Sequence, residues 1–323
     1  PALPGMGGFD HAIVRAVIDG QDLWIDATEE LLPVGQLPIR DQGRRVLVIA
    51  KATRALTSTP QAAPADNLIR EVRTFHLREQ RPATVTELSE QRGIWSDELR
   101  AWIRNTAKGA AHDSLTSYVA KEYQGKLSRF THSDPHDLAT PFTLTLEADQ
   151  VERVADNADG LVAWLFPTDA LERLPPVLVD TDADAARAVK DRTVDYVWSR
   201  PHAYEIVNRL ELPPGYAAPD LPAREVRAVG AMTLTITRAR APGTMTITYR
   251  LDTGPRRLTA AQLRATRAAV AQLHAEGSHK VVIALEAATL EAQGKVVEAI
   301  AEYRRLVALH PKEGLHHAQL AFA

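Results

Sequence analysis

Residues 9–28 read FDHAIVRAVIDGQDLWIDAT and carry His11 and Asp26 on either side of an Asp19-Gly20 pair. A carboxylate beside an imidazole fixes the tautomer and orientation of the ring. It also stabilises the imidazolium formed when the ring takes a proton. With a nucleophilic thiol or hydroxyl the pair would complete an acyl-transfer triad. The bland alternative is a polar pair on an exposed strand, and spacing alone does not separate the two.

His11 and Asp26 can cooperate only if a hairpin brings them together. Two apolar-rich runs, 12–18 and 23–27, flank Asp19-Gly20, and both of these residues tolerate the positive φ of a type I′ turn. A two-residue loop pairs Ile18 with Gln21 and carries the ladder out to Ile13–Asp26 and His11–Thr28. Directly opposed residues share a face. One face then holds Ala12, Val14, Ala16, Ile18, Leu23 and Ile25. The other holds His11, Ile13, Arg15, Asp22, Trp24, Asp26 and Thr28, with His11 and Asp26 diagonal to each other. Trp24 reads as a packing residue, against a role in shaping an acyl-acceptor channel.

The segment from FDHAIV through WIDAT resembles the His and Asp strands of the transglutaminase-like superfamily, and LLPVGQLPIRDQGRRVLVI is similar to the end of that core. The resemblance is nearest to bacterial members whose core lies among poorly characterised β-rich domains. It implies a partial transglutaminase-like (papain-like) sheet over residues 1–56, with His11 as the catalytic histidine and Asp26 as the catalytic aspartate. In that family the order is Cys, His, Asp, with the Cys opening a helix, so the thiol is expected ahead of Pro1. The chain has no cysteine, and alone it is expected to be inert. The implied chemistry is thiolate attack on a protein glutamine or peptide amide, followed by resolution of the thioester by an amine or water. It calls for no cofactor and no metal. Two alternatives stand beside it: a non-catalytic interaction scaffold with a degenerate transglutaminase fold, and a cysteine peptidase. The resemblance favours the periplasm or the outside of the cell.

Composition narrows the classes. Among 323 residues, Lys+Arg 38 against Asp+Glu 41 gives a net charge of -3, which argues against a general nucleic-acid or membrane-surface binder. No apolar run is long enough to span a bilayer. The chain opens on Pro1 and closes on HHAQLAFA, and we read it as a fragment cut at both ends.

Residues 57–67, rich in Ala, Pro, Ser and Thr, read as a linker. Residues 68–256 read as a mainly antiparallel, β-sandwich-like domain with a helical insertion near 96–125, giving an α+β fold overall. Two strands of mixed alternation flank Arg81-Pro82, and Ser96 is placed to cap the first inserted helix; a second is expected over DSLTSYVAKEYQG. Further strands are expected at PFTLTLEAD, QVERVAD, GLVAWLFP, RTVDYVWS and AYEIVNRLELP, and as a hairpin over AMTLTITRARAPGTMTITYRL. The run THSDPHD, with His132, Asp134, His136 and Asp137, offers metal-ligand types, but its Asp-Pro step reads as a polar turn.

Residues 257–323 read as helical. From about 280, Ala287, Gly294, Ala299, Tyr303 and Pro311 fall on positions of a tetratricopeptide repeat, a C-terminal α-hairpin that would bind a protein partner.

Overall fold

The structure, a computed structural model, describes residues 8–79, 82–157 and 160–322, and the chain is a mixed α+β fold. Pro1 and Arg81 lie outside the described residues. The chain opens with β1 (Val14–Ile18) and β2 (Gln21–Ile25), followed by the short pair β3 (Arg45–Val46) and β4 (Thr57–Ser58). Next come β5 (Leu68–His76), β6 (Ala83–Gln91), and the helices α1 (Ile94–Asn105) and α2 (Lys108–Tyr123). The strands β7 (Lys126–His132), β8 (Phe142–Val151), β9 (Val154–Asn157) and β10 (Gly160–Leu165) follow. Short helices α3 (Pro176–Val179) and α4 (Ala183–Lys190) precede β11 (Tyr196–Val197), β12 (Ala203–Glu211) and β13 (Tyr216–Ala217). Then come β14 (Arg224–Val229), β15 (Met232–Ala241), β16 (Thr244–Asp252) and β17 (Arg257–Leu258). The described chain ends with α5 (Ala260–Glu276), β18 (His279–Leu285), α6 (Glu286–Ala292), α7 (Val296–Leu309) and α8 (Gly314–Phe322).

The first hairpin turns as its Asp-Gly step demands: Asp19 and Gly20 take φ of 51° and 77°, and Ile18 pairs with Gln21. Its ladder stops at Val14–Ile25, so His11 and Asp26 sit just beyond the last paired residues. Trp24 is buried, with the Arg15 guanidinium 5.6 Å from its ring centroid, whereas Val14 and Ile18 on the opposite, all-apolar face are exposed.

The centre of the molecule is an eight-stranded sheet in the order β14-β15-β16-β12-β5-β6-β8-β7. All neighbours run antiparallel except β5 and β12, which are parallel. A second sheet, β13-β18-β10-β9, contributes Leu161, Ala163, Val281 and Ile283 to the same core. The expected mainly antiparallel strands are present, with the parallel β5–β12 pair as an exception, and they form one large mixed sheet and one small sheet sharing a core. The span 57–67, expected as a linker, is tied down: Asn67 is buried, donates to the Pro201 carbonyl and accepts from the Ile94 N–H.

Three local expectations are also corrected. Helix α1 starts behind Gly93, in the left-handed region at φ 63°, and Ser96 is not its cap but accepts a hydrogen bond from Arg100 at 3.1 Å. Helix α2 begins at Lys108, ahead of the expected DSLTSYV start. Residues 280–285, expected to open the repeat's first helix, lie in β18, because Val281, Ile283 and Leu285 bury every second side chain. Only the seven residues of α6 remain helical before the turn at Gly294; Ala287, Ala299, Tyr303 and Leu306 then pack on Leu285.

The two faces of the large sheet differ. On one, Arg70 and Arg250 flank Glu205 at 2.9 and 3.0 Å, a solvated ladder across three strands. On the other, Ile69, Phe75 and Val85 are joined by buried charge. Arg73, fully enclosed, meets Glu71, Glu122 and Asp169 at 2.7, 2.8 and 2.7 Å, and Arg153 meets Glu122 and Asp169, each at 2.9 Å. Glu87 accepts hydrogen bonds from the hydroxyls of Tyr118 and Tyr123.

Burial pushes the Glu87 and Glu122 carboxyls up to about 7, with Glu71 acting in the same direction on the first and Asp169 on the second. In the unfolded chain both titrate near the ordinary glutamate value, so between the two values the folded state holds more protons. Stability therefore falls as pH rises through about 7. His202, whose pKa burial drops to about 4, works in the opposite direction between about pH 4 and the ordinary histidine value of 6.5, and so offsets one of the two carboxyls there. The melting temperature is expected to decline as pH rises from about 5 to 7 and to level off above about 7.5, and Glu87→Gln is expected to flatten that slope. A wild-type melting temperature constant across this window would contradict the assignment.

Candidate active site

The hairpin sets His11 and Asp26 side by side past its open end. Asp26 then enters a turn in which the Glu29 N–H donates to its carbonyl at 3.2 Å. The turn places Thr28 to hold one carboxylate oxygen: its N–H and Oγ1–H donate to Asp26 Oδ1 at 3.0 and 2.7 Å. The other oxygen, Oδ2, accepts from His11 Nε2 at 3.0 Å and Arg40 Nη2 at 2.9 Å. Arg40 is itself braced by Glu29 at 2.5 Å.

Asp26 has only 1% of its side chain exposed. Burial alone would raise its pKa, but the donors on Thr28 and His11 outweigh burial and hold it well below the usual carboxylate range. An ionised carboxylate only accepts, so neutral His11 carries its proton on Nε2 and presents the lone pair of Nδ1. Nδ1 has no hydrogen-bond partner among the described residues, and His11 borders a groove of about 540 Å³ together with Phe9, Ile13, Arg40, Asp41 and Arg44. This is the geometry of a proton acceptor steadied from behind.

A second carboxylate, not anticipated from the sequence, joins the pair. A 3-10 turn over Ile39–Asp41, entered from Pro38, delivers both Arg40 and Asp41. Asp41 Oδ2 lies 3.7 Å from His11 Nε2 and has no hydrogen-bond partner among the described residues. Burial pushes its carboxyl up, and the neighbouring Asp26 pushes the same way. The signal in the sequence was a charged pair, Arg40-Asp41, directly after Leu37-Pro38-Ile39.

His11 Nε2 and the Asp26 and Asp41 oxygens lie within 4.8 Å of one another, a spacing that could suit a cation. Arg40 already brings positive charge to Asp26 Oδ2 at that point. The run His132–Asp137 forms a turn whose carboxylates accept local donors: Asp134 from the His136 N–H, Asp137 from Ala139 N–H and Thr140 Oγ1–H.

No protein-family model matches the chain, and no curated protein matches it. Among solved structures it is similar to a "putative protease" from Parabacteroides distasonis ATCC 8503, at 11% identity and a TM-score of 0.36. The match covers 84% of this chain and 35% of that one, so this chain spans about a third of the length of the structure it matches.

Proposed function

We infer that His11 and Asp26 are the base and its orienting carboxylate in a transglutaminase-like acyl-transfer site, acting with a thiol carried by the protein ahead of Pro1. The observation that supports this reading is the His11 Nε2–Asp26 Oδ2 hydrogen bond at 3.0 Å, with Asp26 pinned by Thr28 and His11 lining the groove. Nδ1 takes the thiol proton, and the thiolate attacks the carbonyl of a glutamine side chain or peptide. The imidazolium, stabilised by Asp26, returns its proton to the departing amine. Attack on the thioester by water gives hydrolysis, and attack by an amine gives transfer.

The test is the rate at which iodoacetamide alkylates a cysteine in the protein extended ahead of Pro1. At neutral pH the thiol is expected to react fast, and His11→Ala is expected to slow it by roughly tenfold or more. A cysteine indifferent to His11, or no cysteine at all, would leave a binding scaffold in place of an enzyme.

A further inference from the structure

A cavity of about 380 Å³ lies between α1, α2 and the large sheet, remote in sequence from His11 and Asp26. Its size is within the range of about 300–1,000 Å³ typical of small-molecule sites. The walls are aromatic and aliphatic, with Trp95 and Trp102 from α1, Tyr118 from α2, and Leu144 from β8. The floor is anionic, made by Glu71 and Glu87, which are 6% and 2% exposed. Each carboxylate keeps acceptor capacity. Glu71 Oε1 takes one bond, from the Tyr204 hydroxyl, and Glu87 Oε1 takes one, from Ser89 Oγ at 3.2 Å.

Carboxylates outnumber guanidiniums behind this floor, and because Glu87 and Glu122 are pushed up to about 7 the surplus negative charge develops as pH rises through that value. Four buried carboxylates, those of Glu71, Glu87, Glu122 and Asp169, share two guanidinium groups, Arg73 and Arg153. Arg173 also lines the cavity, and the Arg200 and Arg173 guanidiniums stand 5.4 and 5.8 Å from the Trp95 ring centroid, so Trp95 is already engaged by cations. The Trp95 indole N–H is buried with no acceptor among the described residues.

We propose that this cavity binds a primary alkylammonium group, its charge directed to Glu71 and Glu87 and its carbon chain lying between Trp102, Tyr118 and Leu144. A free small amine and a lysine side chain share this chemistry. The site is separate from His11 and Asp26, so neither reading depends on the other.

Calorimetric titration of the 323-residue chain with n-butylamine at pH 8, where Glu87 is ionised and the amine is still protonated, tests the proposal. Saturable binding is expected, with a Kd of about 1 mM or tighter. Glu87→Gln and Trp102→Ala are each expected to weaken it roughly tenfold or more. Trp102 is only half buried, so its variant remains informative if Glu87→Gln fails to fold. Equal binding of n-butanol would show an apolar hole, and amine binding unchanged in Trp102→Ala would place the amine on exposed carboxylates; either overturns the proposal, as does absence of binding. A blocked lysine, Nα-acetyl-lysine methylamide, distinguishes the two sources by whether it binds more tightly or more weakly than n-butylamine.

Discussion

Replacing Arg73 by Met is expected to destabilise the fold by roughly 3–5 kcal/mol, the range for removing one partner of a buried ion pair. Arg73 is enclosed at the centre of the large sheet, with Glu71, Glu122 and Asp169 within 2.8 Å and Glu87 at 3.6 Å. Methionine fills much of the stem's volume, so the loss isolates charge rather than packing. Burial alone would lower the guanidinium's pKa, yet the surrounding tyrosines and carboxylates raise it, which shows how strongly this site is built for a cation. Without it, Glu87 and Glu122 are expected to hold their protons to still higher pH, and Asp169 retains only Arg153. A urea titration measures the effect. A loss under about 1 kcal/mol would mean that Arg153 or water takes over the role. The double variant Arg73→Met, Glu87→Gln is expected to recover part of the loss, because it removes a carboxylate that Arg73 had balanced.

That network also explains why the middle of the chain was only partly legible. Strands β5 and β6 were evident as strands, but their alternation looked mixed because Glu71, Arg73 and Glu87 lie on the buried face beside Ile69, Phe75 and Val85. Such residues are affordable inside only because Glu122 and Asp169 arrive from α2 and the turn after β10, and no local window contains both halves. The parallel pairing of β5 with β12 is hidden for the same reason: the strands are 135 residues apart at Arg70–Glu205. Strand β18 was misread through length, since VVIAL continues into a true helix and a short apolar run fits either period. The first hairpin was legible because everything that fixes it is local: the Asp19-Gly20 turn sets the register, and the register sets which side chains meet. Asp41 was not, because it reaches His11 through a 3-10 turn that leaves no periodic pattern.

At His11 the largest expected effect comes from Asp26→Asn, which changes one atom and almost no volume. The amide must decide which donors its nitrogen will face. Turned toward Thr28, the NH2 group would meet a backbone N–H that cannot move. Turned the other way, it meets His11 and Arg40. Arg40 is half exposed and free to swing to Glu29, and the His11 ring can accept by shifting its proton from Nε2 to Nδ1. The second orientation costs less, and it destroys the base: Nδ1 now carries a hydrogen where a lone pair is needed. Nitrogen NMR of the imidazole in the present chain is expected to show Nε2–H in the wild type and Nδ1–H in the variant. In the thiol-bearing protein, kcat is expected to fall by roughly 10²- to 10⁴-fold with stability little changed, the scale on which a base held in the wrong tautomer fails. An unchanged tautomer with full activity would strip Asp26 of its orienting role. A changed tautomer with full activity would mean that His11 is not the base, and that Asp41 or a group ahead of Pro1 takes the proton.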